Sequence, residues 1–430
     1  MIENYYRLNS RTTLVRIALA AVILFALVFA WFSVKLQIGI LLADLTQPSR
    51  PDANQVSKYA IALAPLNPQA WWLAAATEID LFTPEKISDS IRMFEESVRL
   101  SPRDYRLWTE LGRAYDQAGE PAKAEVAFRE AIDLAPTYAF PHWQLGNFLI
   151  REGRPDEAIT ELRKTTEYDT TYRDQAYSLI WNYSDNDTAK VEQLAADSVD
   201  AKVGLAQFFA WRIRPADALR VWNTLSDEEK NSARQTAVAI AEAMNEKRTF
   251  WEGVEFAVQA DIDPDARVET ITNGGFESPI TAPSDTLYGW KITRADSKVD
   301  FSSDSVVKHS GSRSLRTSFR SYVSPNFYGI WQNVAAQQSG KFQLSFWVRT
   351  ENLRSAGTPV IEVVNAADDK VIAVSKPIPA GTNDWQKIDL EFTTPEGCTG
   401  LYVRSSRGYC GDNCPVVGTM WLDDFVLVRL

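Results

Sequence analysis

Gly112 and Gly146 stand 34 residues apart, and so do Phe94 and Phe128, Ala124 and Ala158, and Pro102 and Pro136. A fixed period of that length is the signature of a solenoid of helical hairpins. It restricts the middle of the chain strongly, because one such hairpin cannot bury its apolar face alone and several must stack in register. Each residue type answers a packing need. Gly112 and Ala124 let antiparallel helices approach, Trp108, Leu111, Tyr115 and Phe128 fill the space between hairpins, and Pro136 ends a helix.

From Tyr105 to Pro136, the residues Trp108, Leu111, Gly112, Tyr115, Ala124, Phe128, Ala131 and Pro136 resemble the tetratricopeptide repeat in kind and spacing. Counting outward, repeats are expected over Trp71 to Asp104, Tyr105 to Tyr138 and Ala139 to Tyr172, with Pro68 in register with Pro102 and a half-repeat helix over Gln55 to Leu63. Leu205, Ala206, Phe209, Ala218 and Trp222 continue the pattern, and one helical stretch, Ser232 to Ala260, caps an array spanning 52–260. In this family the second, fifth, ninth and twelfth positions of each first helix face the groove. The resemblance therefore implies a protein-binding wall of Arg106, Thr109, Arg113 and Asp116, followed by Phe140, Trp143, Asn147 and Ile150. The competing reading is a solvated groove wall, since the two-carboxylate clamp of chaperone-binding relatives is not evident.

Ahead of the repeats, Ile17 to Val34 is free of charge over eighteen residues. As a helix it spans about 27 Å, enough for a bilayer core. Arg7, Arg11 and Arg16 precede it, so the positive-inside rule predicts a cytoplasmic tail (1–16), a single transmembrane anchor (17–42) and a linker (43–51), with the remainder exported. A cleaved signal peptide is the rival, although its apolar core is usually about 7–15 residues. The expected location is the inner membrane, with the C-terminal domains periplasmic.

Beyond a second linker (261–267) the periodicity switches from helical to alternating and turn residues become frequent. Strands are expected over Phe327–Val334, Phe342–Thr350, Val360–Asn365, Gln386–Thr393, Leu401–Ser405 and Met420–Leu427, giving an antiparallel sandwich. Asn273 to Glu277, Gly289 and Trp290, His309 to Ser312 with Ser314 and Leu315, Gln332, Leu344 to Arg349, Trp385 and Trp421 to Phe425 resemble the carbohydrate-binding-module jelly rolls of galactose-binding-like fold. The fold class is thus multidomain: one transmembrane helix, an all-α tetratricopeptide solenoid and an all-β jelly-roll sandwich over 268–430.

That second resemblance implies a structural calcium site using Glu277 with Asp423 or Asp424, carboxylates being the hard ligands this ion prefers. A metal-free acidic pair is the alternative. It also implies a sugar site of aromatic planes beside polar groups. Strand alternation turns Phe342, Leu344, Phe346 and Val348 to the core and leaves Trp347 and Arg349 outside; Trp331 and Asn333 share a face, as do Tyr402 and Arg404. These six are the candidate glycan contacts, against the reading that they cover the sheet or fill a core edge. Trp290, Trp385 and Trp421 are expected in the core.

Cys410 and Cys414 bracket a short loop and form a disulfide in an oxidising compartment or remain thiols, which spacing alone does not decide. The net charge of −11 argues against nucleic-acid partners and points to uncharged or cationic ones. No nucleophile motif or phosphate loop is present, and two histidines are few for acid–base chemistry. The expectation is a non-enzymatic, membrane-anchored scaffold that binds an envelope protein through the solenoid and a glycan through the sandwich, in cell-surface polysaccharide assembly or export. A protein-only scaffold and a polysaccharide hydrolase are the alternatives.

Overall fold

A computed structural model describes the chain except residues 1–12, 80–83, 196–197, 279, 281–285, 294–296, 324–326, 328 and 412. Arg7 and Arg11 of the expected cytoplasmic tail lie outside the described residues. The chain divides into two compact units, Met1–Ala196 and Asp197–Leu430. The change from helix to strand lies further on, near the expected 261–267 linker, since the last helix ends at Gln259.

The first unit opens with α1 (Thr13–Leu45), a helix long and apolar enough to cross a membrane. It continues into the residues expected as a linker, and its last turns are packed. Gly39 and Ala43 are buried against α2 (Ala53–Leu63) and α3 (Pro68–Ile79). A Cβ on Gly39 would come within 2.7 Å of the Ala64 Cβ, so only glycine permits the approach. Antiparallel pairs follow: α3 with α4 (Pro84–Leu100), α5 (Tyr105–Gln117) with α6 (Pro121–Leu134), and α7 (Ala139–Arg151) with α8 (Pro155–Tyr168). Then come α9 (Thr170–Tyr183) and the short α10 (Thr188–Glu192). The period-34 glycines sit where close packing needs them: a Cβ on Gly112 would meet the Phe128 ring at 2.7 Å, and one on Gly146 would meet Leu162 at 2.6 Å.

One contact marks the register of these hairpins. A ring N–H early in each first helix donates to a proline carbonyl six residues back: Trp71 to Pro65, Trp108 to Pro102, and His142 to Pro136, at 2.9, 2.9 and 3.0 Å. Pro65, rather than the expected Pro68, is therefore the counterpart of Pro102; Pro68 instead starts α3, where a missing N–H costs nothing.

The second unit begins with α11 (Val199–Trp211), α12 (Pro215–Trp222), α13 (Asp227–Ser232), α14 (Arg234–Glu246) and α15 (Phe250–Gln259). The single stretch expected over Ser232 to Ala260 is thus a hairpin that turns at Lys247–Thr249. Its strands are β1 (Lys291–Ile292), β2 (Val299–Asp304), β3 (Ser314–Tyr322), β4 (Ile330–Val334), β5 (Lys341–Arg354), β6 (Pro359–Asn365), β7 (Val371–Val374), β8 (Gly381–Thr393), β9 (Leu401–Arg407) and β10 (Val416–Arg429). They form two antiparallel sheets, ordered β1-β4-β9-β6-β7 and β2-β3-β10-β5-β8. Phe342, Leu344, Phe346 and Val348 fill the space between the sheets, at most 1% exposed, as the alternation on β5 predicts.

Both units use one device to stop a helix. Glu120, Arg154, Asn186, Arg214 and Thr249 each donate their backbone N–H to the carbonyl five residues earlier, at 2.9–3.0 Å. The residue before each lies in the left-handed region: Gly119, Gly153, Asp185, Ile213 and Arg248. This is the Schellman arrangement, in which a left-handed residue lets the chain satisfy its last helical carbonyls.

Candidate functional site

Four of the six candidate glycan contacts converge. Cross-strand pairing sets Lys291, Trp331, Arg404 and Glu362 in one row across β1, β4, β9 and β6, with Asn333 and Tyr402 paired in the next row. Antiparallel partners share a face, and the alternate row holds the buried Ile330 and Ile361, so this row looks away from the inter-sheet core. Trp331, Asn333, Tyr402 and Arg404 line a cavity of about 460 Å³ together with Thr293, Asp369, Asn245, Glu246 and Arg248.

The polar groups of this cavity are held in place. Arg404 meets Glu362 at 3.0 Å, and Arg248 donates to the Ala366 carbonyl at 2.6 Å and to Asp369 at 3.1 Å. Asn333, buried, donates its amide to Asn245 Oδ1 at 2.6 Å. The Lys291 ammonium sits 4.3 Å from the centre of the Trp331 ring and donates to the Leu287 carbonyl at 3.0 Å. Burial pushes this lysine down to about 8, with Asp263 opposing the shift. Trp331 is therefore fixed in orientation by a cation on its face.

Trp347 and Arg349 belong elsewhere, on β5 in the other sheet. His309 stacks on Trp347 with ring centres 3.8 Å apart, so one face of this indole is taken, as one face of Trp331 is by Lys291. Arg349 lies 6.0 Å from the ring of Trp421, which Arg316 approaches from the neighbouring strand. Trp421 is buried beneath these guanidinium groups, not in the inter-sheet core that holds Met420 and Leu422, and its Nε1 donates to Asp304 at 2.9 Å. Trp385, also expected in the core, is half-buried beside His309; Trp290 is in the core.

The acidic trio gathers around one loop. Asp423 accepts the backbone N–H groups of His309 at 2.9 Å and Ser310 at 3.3 Å, and its other oxygen accepts the Asp424 N–H. Asp424 meets His309 Nδ1 at 2.6 Å and accepts from the Ser310 hydroxyl at 2.8 Å. Glu277 accepts the N–H and the hydroxyl of Ser312, which hold its carboxyl below the usual range. Burial pushes Asp423 the other way. The donors are of the kind calcium takes, yet every one of these carboxylate oxygens is engaged by an N–H or O–H. Among the described residues no group of three or more His, Cys, Asp or Glu is arranged to hold a metal ion. In this fold the trio clamps the His309–Ser312 loop.

Cys410 and Cys414 are joined by a disulfide, while Cys398 is free and buried.

On the solenoid, Arg113 lines a cavity of about 500 Å³ with Trp72, Glu110, Asp116, Gln144 and Arg151. Sequence spacing did not single out Trp72, Gln144 or Arg151 for it. Thr109 does not face the groove: it is fully buried and donates to the Tyr105 carbonyl. Arg106 pairs with Asp104, the cap of its own helix, and Asn147 donates to the Trp143 carbonyl. Phe140 and Trp143 each lie 6.0 Å from the Tyr172 ring.

Comparison with known proteins agrees with this division. Residues 79–139 and 117–180 match the tetratricopeptide repeat, and residues 268–405 match the family described as carbohydrate binding domain. The chain joins tetratricopeptide repeats to a carbohydrate-binding domain. Both are non-catalytic kinds of domain. Superkiller protein 3 of Saccharomyces cerevisiae is 31% identical over 80 residues, 19% of this chain; the chain spans 6% of that relative's length. Among solved structures, MamA from Desulfovibrio magneticus is 27% identical over 31% of this chain and 73% of its own, with a TM-score of 0.27. The CBM22-1 xylan-binding domain of Paenibacillus barcinonensis Xyn10C is 14% identical, over 36% and 91%, with a TM-score of 0.26. YrrB, a tetratricopeptide protein with a peptide-binding site, is 22% identical, over 39% and 88%, with a TM-score of 0.29.

Proposed function

We propose that this protein is a membrane-anchored adaptor that holds a glycan in the cavity on β4 and β9 and a protein partner in the solenoid groove, with α1 as an uncleaved anchor and the rest of the chain periplasmic. The observation that carries the reading is the meeting of Trp331, Asn333, Tyr402 and Arg404 around one cavity, in the part of the chain that matches a carbohydrate-binding family. An aromatic plane beside fixed amide and guanidinium groups is the arrangement that recognises a pyranose, whose apolar face stacks while its hydroxyls take hydrogen bonds. A role in assembling or exporting a cell-surface polysaccharide suits an adaptor tethered at the membrane. The test is affinity electrophoresis of the detergent-solubilised full chain through gels containing polysaccharides. Retardation that Trp331→Ala abolishes and Trp347→Ala preserves is expected. Retardation by no polysaccharide moves the protein to the protein-only scaffold, and breakdown of a polysaccharide moves it to the hydrolases.

A further inference from the structure

The cavity is not made by the sandwich alone. Asn245, Glu246 and Arg248 come from the end of α14 and the turn into α15, and they supply one of its walls. This hairpin is docked on the sheet and does not merely lie beside it. Phe250, fully buried, sets its ring edge-on to Tyr402 and Tyr288, with centres 5.8 and 6.1 Å apart. A Cβ on Gly400 would lie 2.3 Å from the Phe250 ring, so the backbone of the sandwich is shaped to receive it. Val254 and Ala257 pack with Ala335 and Ala366 in the same apolar cluster. The helices thus pack against Asn333 and Tyr402, which line the cavity together with Trp331 and Arg404 of the neighbouring row.

The charges lining the cavity are matched in place. Arg404 is paired with Glu362, Arg248 with Asp369, and Glu246 with Lys247. An acidic sugar would meet no unmatched guanidinium. A neutral sugar, by contrast, finds amide, hydroxyl and paired ionic groups to exchange hydrogen bonds with its own hydroxyls.

We infer that the glycan site is a two-part site in which Asn245, Glu246 and Arg248 of the α14–α15 turn contact the ligand alongside Trp331 and Arg404, and that its ligand is a neutral polysaccharide. This rests on the glycan reading above. The experiment is a titration of the full chain with neutral and uronic-acid-containing polysaccharides, using wild type, Trp331→Ala, Asn245→Ala, Glu246→Ala and Arg248→Gly. Glycine is chosen at position 248 because the residue sits at φ +61° and glycine keeps the turn. Glu246 is exposed, so its removal leaves the fold intact. Losing one hydrogen bond to a ligand weakens affinity about five- to tenfold, which is expected for Asn245→Ala and Arg248→Gly, with a smaller loss for Glu246→Ala. Binding abolished by Trp331→Ala but unchanged in all three turn variants overturns the two-part site and leaves the glycan reading standing. Acidic polysaccharides binding as tightly as neutral ones overturns the ligand class. Binding to none removes the glycan reading and this inference together.

Discussion

Asn245 and Asn333, 88 residues apart in sequence, meet side chain to side chain at 2.6 Å. The first belongs to a helix and the second to a strand, so the fold has no boundary at residue 268 on this side. Cutting there removes Phe250, Val254 and Ala257 and exposes Tyr288, Ala335, Ala366 and Tyr402. Burying one phenylalanine contributes about 1.5–3 kcal/mol, and three apolar residues are lost together. The fragment 268–430 is therefore expected to melt several degrees below the fragment 197–430 and to aggregate more readily. Equal melting temperatures for the two fragments would sever the helical hairpin from the stability of the sandwich.

Ile213 occupies a turn position where the equivalent residues at 119 and 153 are glycine. Its φ of +59° is one that a β-branched residue adopts at a cost of about 1–2 kcal/mol. The side chain is 59% exposed, so little packing offsets that strain. Ile213→Gly is expected to raise the unfolding free energy by about 0.5–1 kcal/mol, the glycine's greater unfolded-state freedom taking back part of the relief. Urea denaturation measures it. A loss of stability would mean that the Ile213 side chain makes a contact worth more than the strain.

These turns also show what was legible in the sequence and what was not. Gly112 and Gly146 announce the period because close packing admits nothing larger, and β5 is readable because it alternates strictly from Lys341 to Thr350. The turns at Asp185, Ile213 and Arg248 carry no glycine, so the hairpin α14–α15 reads as one helix until the backbone bond from Thr249 to Met244 is seen. Pro65 and Pro68 compete for one register position, and only the Trp71 indole decides between them. For the site, alternation placed Trp331 with Asn333 and Tyr402 with Arg404, since period two fixes a face. It does not separate the two sheets, and so gives no sign that Trp347 and Arg349 lie on the sheet opposite Trp331 and Tyr402. The wall formed by Asn245 and Arg248 had no local signal at all, because it depends on packing between segments far apart in sequence.

Lys291 offers the sharpest test of how the row beneath the cavity is built. Its residue is 4% exposed, and burial lowers its ammonium from 10.5 to about 8. Between those values the unfolded chain holds the proton and the folded chain does not, so stability rises with pH across the window. Below pH 8 both states are protonated and the full penalty, about 3 kcal/mol for this shift, is present; above 10.5 it has vanished. Other groups titrate in the same range, so the quantity to measure is the difference between wild type and Lys291→Met in urea melts from pH 7 to 10.5. Wild type is expected to gain on the variant steadily as pH rises from 8, because methionine keeps the stem's packing and has no charge to desolvate. A difference that stays flat across the window would mean that the Trp331 ring and the Leu287 carbonyl together hold the ammonium as well as water does.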